Sequence, residues 1–359
     1  MGFTCKTQVL SGTGAVAALG NMGIRKLLLV TDPYFKQNGT ADRLAGLSGA
    51  REISVFYDIT PDPSVELAAR GAALVRDFAP DTVVALGGGS TIDCAKAMVY
   101  FGGKTARLVA IPTTSGSGSE VTDFAILTHN DTKHPLVDER LQPEVAILDS
   151  DLLTQLPPGL IADGGFDVLA HTLEAYTAIN AGAITDALAA DAFCKVYNQL
   201  PASFGGDQSV RMSIHIASTM AGMAFTQAGL GLCHALSHSL GGLFHVPHGR
   251  LNAIILPVVI ELNAKVATSK YAALARLAGL SGSADTVAVR NLKNGLIRLR
   301  RALGLPATLA QAGVNPAELA AHRANIVAAT LADPCCRTNA LLVEAYMVQD
   351  VLAEVTGHG

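Results

Sequence analysis

Two stretches of this chain could do chemistry together. The first is Asp167-Val168-Leu169-Ala170-His171, and the second is His234-Ala235-Leu236-Ser237-His238, followed by His245 and His248. Four of the ten histidines fall within the fifteen residues 234–248. Asp167 and His171 are four apart, so on a helix they share a face, and His234 and His238 repeat that spacing. His248 lies in Val246-Pro247-His248-Gly249, where proline and glycine mark a break between helices. Several imidazoles and one carboxylate are the donors of a divalent-metal site. Their neighbours are apolar residues and the glycines 229, 231, 241 and 242. Imidazoles buried in such surroundings need partners, because leaving them unpaired is costly.

Two further stretches have the composition of anion-binding turns. Gly87-Gly88-Gly89-Ser90-Thr91-Ile92-Asp93 falls between an apolar run and a helical pattern. Glycines let backbone amides approach a pyrophosphate, and a helix N-terminus attracts it. Ile92 takes the place of the third glycine of the usual dinucleotide fingerprint, and no Gly-Lys-Ser/Thr follows, so this is not a P-loop. Ser90 and Asp93 have capping-box spacing, which would make them helix starters only. Residues 113–120, Thr113-Thr114-Ser115-Gly116-Ser117-Gly118-Ser119-Glu120, form a second such turn after a strand. Asp32 ends the first strand, where an acid either holds ribose hydroxyls and repels a 2′-phosphate or serves the turn before Pro33.

The elements that position these groups follow from periodicity. Short apolar runs at 26–30, 52–57, 82–86, 107–111 and 145–148 read as strands, and 64–78 and 92–101 as helices. Strands alternating with helices predict an α/β N-terminal nucleotide-binding domain with a mostly parallel sheet over residues 1–153. Beyond Leu156-Pro157-Pro158 the pattern turns helical, with examples at 187–200, 210–225, 271–277 and 287–303, which predicts an all-α C-terminal metal-binding domain over 154–359.

The 359 residues are long enough for two such domains, and 50% are hydrophobic against 16% charged. A net charge of −4 without a basic run argues against nucleic acid. Residues 213–233 lack Asp, Glu, Lys and Arg but carry Ser, Thr, Gln and His, so they read as buried helix rather than a membrane span. No basic leader precedes an apolar run, and six cysteines without a CxxC pair suit reduced thiols, so a cytoplasmic setting is expected.

In combination these motifs are similar to those of the iron-dependent (group III) alcohol dehydrogenases: Gly87-Gly88-Gly89-Ser90 with Asp93 and Lys96, then 113–120, then Gly165-Phe166-Asp167 with His171 and Glu174, then His234, His238 and Pro247-His248-Gly249. Residues 56–63, 156–158 and 221–232 most resemble the 1-propanol dehydrogenases of bacterial microcompartments. The resemblance implies that Asp167, His171, His234 and His248 hold the metal and that His238 acts beside the nicotinamide and substrate. It implies NAD contacts from Asp32, Gly88, Gly89, Ser90, Asp93, Thr113, Thr114 and Lys133. It further implies Fe(II), with Zn(II) equally satisfied by such donors, a short aldehyde or its alcohol as substrate, a homodimer, and microcompartment enzymes or shell as neighbours. Maleylacetate reductase, glycerol dehydrogenase and a dehydroquinate-synthase-like lyase are alternatives within the superfamily. A non-catalytic binding partner within a shell is an alternative outside it. Two departures stand out: His134 where relatives often carry an aromatic residue, and Ala340 after Arg337-Thr338-Asn339 where many carry proline.

Overall fold

The computed structural model describes residues 2–103, 106–129, 132–280 and 282–357. The chain divides into two compact units, residues 4–156 and residues 157–359, the second also taking in the first residues through Phe3.

The first unit is built on a six-stranded sheet. Its strands are β1 (Gln8–Ser11), β2 (Lys26–Thr31), β3 (Glu52–Phe56), β4 (Thr82–Gly87), β5 (Arg107–Pro112) and β8 (Val145–Leu148). They lie in the order β1-β8-β5-β4-β2-β3, and every pairing is parallel. The central strands are apolar between their ends because both faces are covered. Successive side chains point to opposite faces, so Leu28, Val30, Val83 and Ala85 enter one core layer, and Leu27, Leu29, Val84 and Leu86 the other. Of the helices α1 (Pro33–Gln37), α2 (Thr40–Leu47), α3 (Val65–Phe78) and α4 (Gly89–Phe101), α3 and α4 contribute to the first layer and α2 to the second.

Two strand features depart from the sequence reading. Strand β1 was not expected: its four residues, Gln8-Val9-Leu10-Ser11, are too short and too polar at their ends to stand out, and it pairs only with β8 at the sheet edge. The antiparallel hairpin of β6 (Phe124–His129) and β7 (Thr132–Val137) was also missed. Pro135 lies within β7, and a two-stranded ribbon is all edge and tolerates a residue without an N–H.

The second unit is helical, as expected: α5 (Pro158–Thr177), α6 (Ala183–Phe204), α7 (Arg211–Ala228), α8 (Leu232–Phe244), α9 (His248–Leu277), α10 (Asp285–Ala302), α11 (Pro316–Ala332) and α12 (Ala345–Thr356). The apolar stretch 213–233 is interrupted at Gly229, so α7 and α8 are separate helices. Helix α9 carries Pro257 inside it and absorbs the segment 271–277 beyond a kink at Ala267, where the backbone leaves the helical conformation. Its start packs so tightly on α5 that a Cβ on Gly249 would lie 1.9 Å from the Asp163 carbonyl oxygen. Arg250 clasps the Asp163 carboxylate with two donors, at 3.2 and 2.9 Å, and fixes the same crossing.

Candidate functional site

In the first unit the strand order reverses between β2 and β4, since β3 lies beyond β2 and β5 beyond β4. An open α/β sheet binds its ligand outside the carboxyl ends of the strands at such a reversal. Asp32 follows β2 and Gly88 follows β4 at this point, and the Thr31 hydroxyl donates to the Leu86 carbonyl at 2.8 Å to hold the two ends together. The loop after β5 meets the glycine turn: the Thr113 amide donates to the Gly87 carbonyl at 3.1 Å. A Cβ on Gly88 would come 3.2 Å from the Thr114 hydroxyl, and one on Gly89 2.9 Å from Ser117. Glycine is needed because another loop occupies the space. Helix α4 begins at Gly89, with Gly88 as its N-cap, so its first amides and positive dipole end lie in the turn.

The capping-box reading of Ser90 and Asp93 does not hold, because Ser90 already lies inside the helix. Asp93 is buried, and both of its oxygens serve the scaffold: one accepts from the Ser119 hydroxyl and the other from the Ile126 amide at 2.9 Å. Burial pushes its carboxyl above the usual range. Asp93 therefore braces the loop and the hairpin from beneath. Lys96 joins it there: its ammonium donates to the Thr122 and Phe124 carbonyls at 3.0 and 2.8 Å. Lys133, on β7, is paired with Asp62 at 2.8 Å. Asp32 caps α1, accepting from the Phe35 amide at 3.2 Å, so its turn role is realised.

In the second unit α5 carries Asp167, His171 and Glu174, α8 carries His234 and His238, and His248 is the first residue of α9. The corner between α8 and α9 is made by His245 in the left-handed region (φ 53°) and by Pro247 as N-cap, so His245 is a corner residue rather than part of the cluster. One donor atom from each of Asp167, His234 and His248 lies within 4.8 Å of the others. Asp167 Oδ1 is 3.6 Å from His248 Nε2 and 3.8 Å from His234 Nε2. Donors on a tetrahedral centre with bonds of about 2.0–2.1 Å lie roughly 3.4 Å apart, so a transition-metal dication fits with small side-chain adjustments. The His171 ring stacks on His234 at 4.4 Å and on Phe225 at 4.3 Å.

Charge balance points the same way. Burial alone would raise Asp167, but His171, His248 and His234 outweigh it and hold the carboxyl well below the usual range. Burial would likewise depress His234, yet hydrogen bonds to Asp167 and Glu174 push it up to about 9. The pocket thus calls for a positive charge among its carboxylates, which a dication supplies in place of the proton.

The supporting residues were not visible as such in the sequence. Glu174 accepts from the Cys233 amide at 2.7 Å and from His234 Nδ1 at 2.6 Å. It caps α8 and turns His234 Nε2 toward Asp167. A Cβ on Gly231 would sit 2.7 Å from the Glu174 carboxylate, so the helix must start with glycine. Asn252 donates to Asp167 Oδ1 at 2.8 Å and accepts from Ser237 at 2.6 Å. Cys233 packs its thiol against Asn252 and stays protonated through burial. Asn339 accepts from the Leu232 amide and exchanges hydrogen bonds with Asn263 at 2.9 Å, so the unusual Arg337-Thr338-Asn339-Ala340 segment braces the start of α8. Removing the charge in Glu174→Gln should weaken metal binding by about 10- to 100-fold, the usual cost of losing such a support, and a competitive chelator titration would measure it.

His238 takes a different partner from His234 one turn earlier. Its Nδ1 lies 2.9 Å from Asp333 Oδ2, and its ring stacks on His248 at 5.1 Å. Asp333 is mostly buried, which would raise it, but the His238 bond keeps it below the usual range. A carboxylate behind one imidazole nitrogen, with the ring half-exposed, is the arrangement of a proton relay.

Comparison with known proteins finds one family across both units. Residues 6–150 match the family model described as iron-containing alcohol dehydrogenase, and residues 161–356 the one described as Fe-containing alcohol dehydrogenase family, C-terminal. The 1-propanol dehydrogenase PduQ of Citrobacter freundii is 38% identical, over 98% of this chain and 99% of its own. The NADPH-dependent butanol dehydrogenase of Clostridium saccharobutylicum is 36% identical over 94% of each. Among solved structures, the iron-containing alcohol dehydrogenase of Thermococcus thioreducens matches with a TM-score of 0.92 at 32% identity, covering 99% of both chains. The sulfoacetaldehyde reductase of Bifidobacterium kashiwanohense, solved with NAD+, matches with a TM-score of 0.88 at 26% identity, covering 100% of this chain and 99% of its own.

Proposed function

This chain belongs to the iron-containing alcohol dehydrogenase family, and we propose that it interconverts short aldehydes, propionaldehyde or acetaldehyde, and primary alcohols with NADH and NAD. The observation that carries this reading is the convergence of two imidazoles and one carboxylate, from His234, His248 and Asp167, with the His171 ring stacked on His234 and a separate His238–Asp333 dyad beside them. Asp167, His171, His234 and His248 hold the metal in this reading. When bound, Fe(II) or Zn(II) supplies a Lewis acid for the carbonyl, and the nicotinamide supplies the hydride. His238 then delivers a proton to the alcohol oxygen, with Asp333 stabilising the charged imidazole. Glu174 and Asn252 keep His234 and Asp167 aimed, and Phe225 walls the His171 side. The amides at the start of α4, with Gly88, Gly89, Ser90, Thr113 and Thr114, receive the pyrophosphate, and Lys133 contributes charge to the same site. A homodimer in the cytoplasm, beside or within a microcompartment, is the setting this reading expects.

The substrate class follows from charge. Arg250, the arginine nearest the histidines in sequence, is committed to Asp163, which supports an uncharged substrate over the carboxylated or phosphorylated substrates of the superfamily alternatives. Initial rates of NADH oxidation should be higher with propionaldehyde than with maleylacetate, and a clear preference for the acid would overturn this reading.

Cofactor choice is a second expectation. The Asp32 carboxylate at the end of β2 should repel a 2′-phosphate, so NADH should be preferred over NADPH. Asp32→Gly should narrow the ratio of the two kcat/KM values by about tenfold, the worth of one charge contact of roughly 1.4 kcal/mol. Equal use of both cofactors by the unaltered enzyme would remove Asp32 from this role, and the NADPH-dependent butanol dehydrogenase relative makes the comparison informative.

A further inference from the structure

We propose that His238, Asp333 and Cys335 form a second cation site, selective for a thiophilic dication such as Zn(II) or Co(II), through which excess metal shuts off the proton relay. One donor atom of each residue lies within 4.8 Å of the other two. The set is organised without metal. The Asp333 carboxylate bonds His238 Nδ1 through Oδ2 at 2.9 Å and accepts the Cys335 amide on Oδ1 at 2.8 Å, so one carboxylate orients both the imidazole and the residue that carries the thiol. Cys335 belongs to the 3-10 turn Pro334–Thr338, whose start Asp333 caps. The adjacent cysteine is not equivalent: the Cys336 thiol is turned to the Thr330 carbonyl at 3.0 Å.

The chemistry of the three donors decides the class of ion. Imidazole, carboxylate and thiolate are a zinc set, and three protein ligands leave the fourth position to water. Thiolate selects zinc and its congeners over magnesium and manganese. The Asp167 centre has only nitrogen and oxygen donors, so the two sites differ in preference. Burial and the neighbouring Asp333 charge push the Cys335 thiol well above the usual range, so in the metal-free state it keeps its proton. Binding converts Cys335–SH to a metal-bound thiolate and releases that proton to solvent, with no change of oxidation state. Ligands on one tetrahedral ion lie roughly 3.4 Å apart, so the hydrogen-bonded His238–Asp333 pair, at 2.9 Å, opens slightly as the thiol closes in from within 4.8 Å.

Ion binding stands on this geometry alone. The inhibition rests on the relay role given to His238, because an ion on its Nδ1 and on Asp333 removes the carboxylate that backs it. The test is a Co(II) titration of the enzyme already loaded with its first metal equivalent. A thiolate-to-cobalt charge-transfer band should appear with the second equivalent in the unaltered enzyme and in Cys336→Ser, and be absent in Cys335→Ser. Zinc beyond one equivalent should inhibit aldehyde reduction, and Cys335→Ser should need at least tenfold more zinc for the same inhibition. No band in the unaltered enzyme, or a band that survives Cys335→Ser, overturns the site. A Cys335-dependent band without inhibition keeps the site and refutes the relay role. Melting curves of the loaded variants separate a lost ligand from a lost fold.

Discussion

His248→Ala leaves the protein without bound metal and without measurable aldehyde reduction. His248 is held at the first position of α9 by the Pro247 cap and the Gly249–Asp163 contact, so its imidazole reaches Asp167 from a fixed backbone. Removing it takes away one of the three donors within 4.8 Å of one another and opens the centre to water on its half-exposed side. The backbone at this corner is set by His245 and Pro247 rather than by the His248 side chain, so the fold should survive. Metal analysis of the anaerobically purified variant beside its circular dichroism spectrum tests this. Asp167→Asn should behave the same way through loss of charge. Full metal content in either variant would move the centre elsewhere.

His238→Ala, by contrast, retains its metal and loses turnover by about 10²- to 10⁴-fold, the usual contribution of a positioned general acid or base. His234 and His238 share one face of α8, yet their rings diverge: His234 turns to Asp167 and Glu174, while His238 turns to Asp333. Single-turnover hydride transfer should slow far less than steady-state turnover if the proton step becomes limiting. Asp333→Asn should show a weaker form of the same defect with its metal intact. Loss of metal in His238→Ala would make His238 a ligand and remove the relay.

The legible and illegible parts of the molecule separate by physical cause. Strands β2, β4, β5 and β8 stand out in the sequence because strands buried on both faces must be apolar at every position. The β6–β7 hairpin carries Thr, Lys, His and Pro, so composition hid it. The i, i+4 spacings brought Asp167 with His171 and His234 with His238 to attention. The partners that give each histidine its job come from remote segments: Glu174 lies 60 residues before His234, and Asp333 lies 95 residues after His238. Glu174 stands out only as part of the motif with Asp167 and His171, and no local pattern announces Asp333. The glycine turn was recognisable by composition, but its cause, the crowding of the residue 113–119 loop against Gly88 and Gly89, is a tertiary fact. The bracing of that loop by Asp93, through Ser119, is a tertiary fact as well.

The most direct test of the central claim is NADH oxidation with propionaldehyde by protein stripped of metal, before and after one equivalent of Fe(II) or Zn(II) is restored under anaerobic conditions. The proposed donor set of Asp167, His171, His234 and His248 predicts no turnover in the stripped protein and recovery in proportion to bound metal, with no recovery in His248→Ala. Undiminished turnover by the stripped protein, or metal uptake that restores nothing, would contradict a metal-dependent dehydrogenase built on these residues.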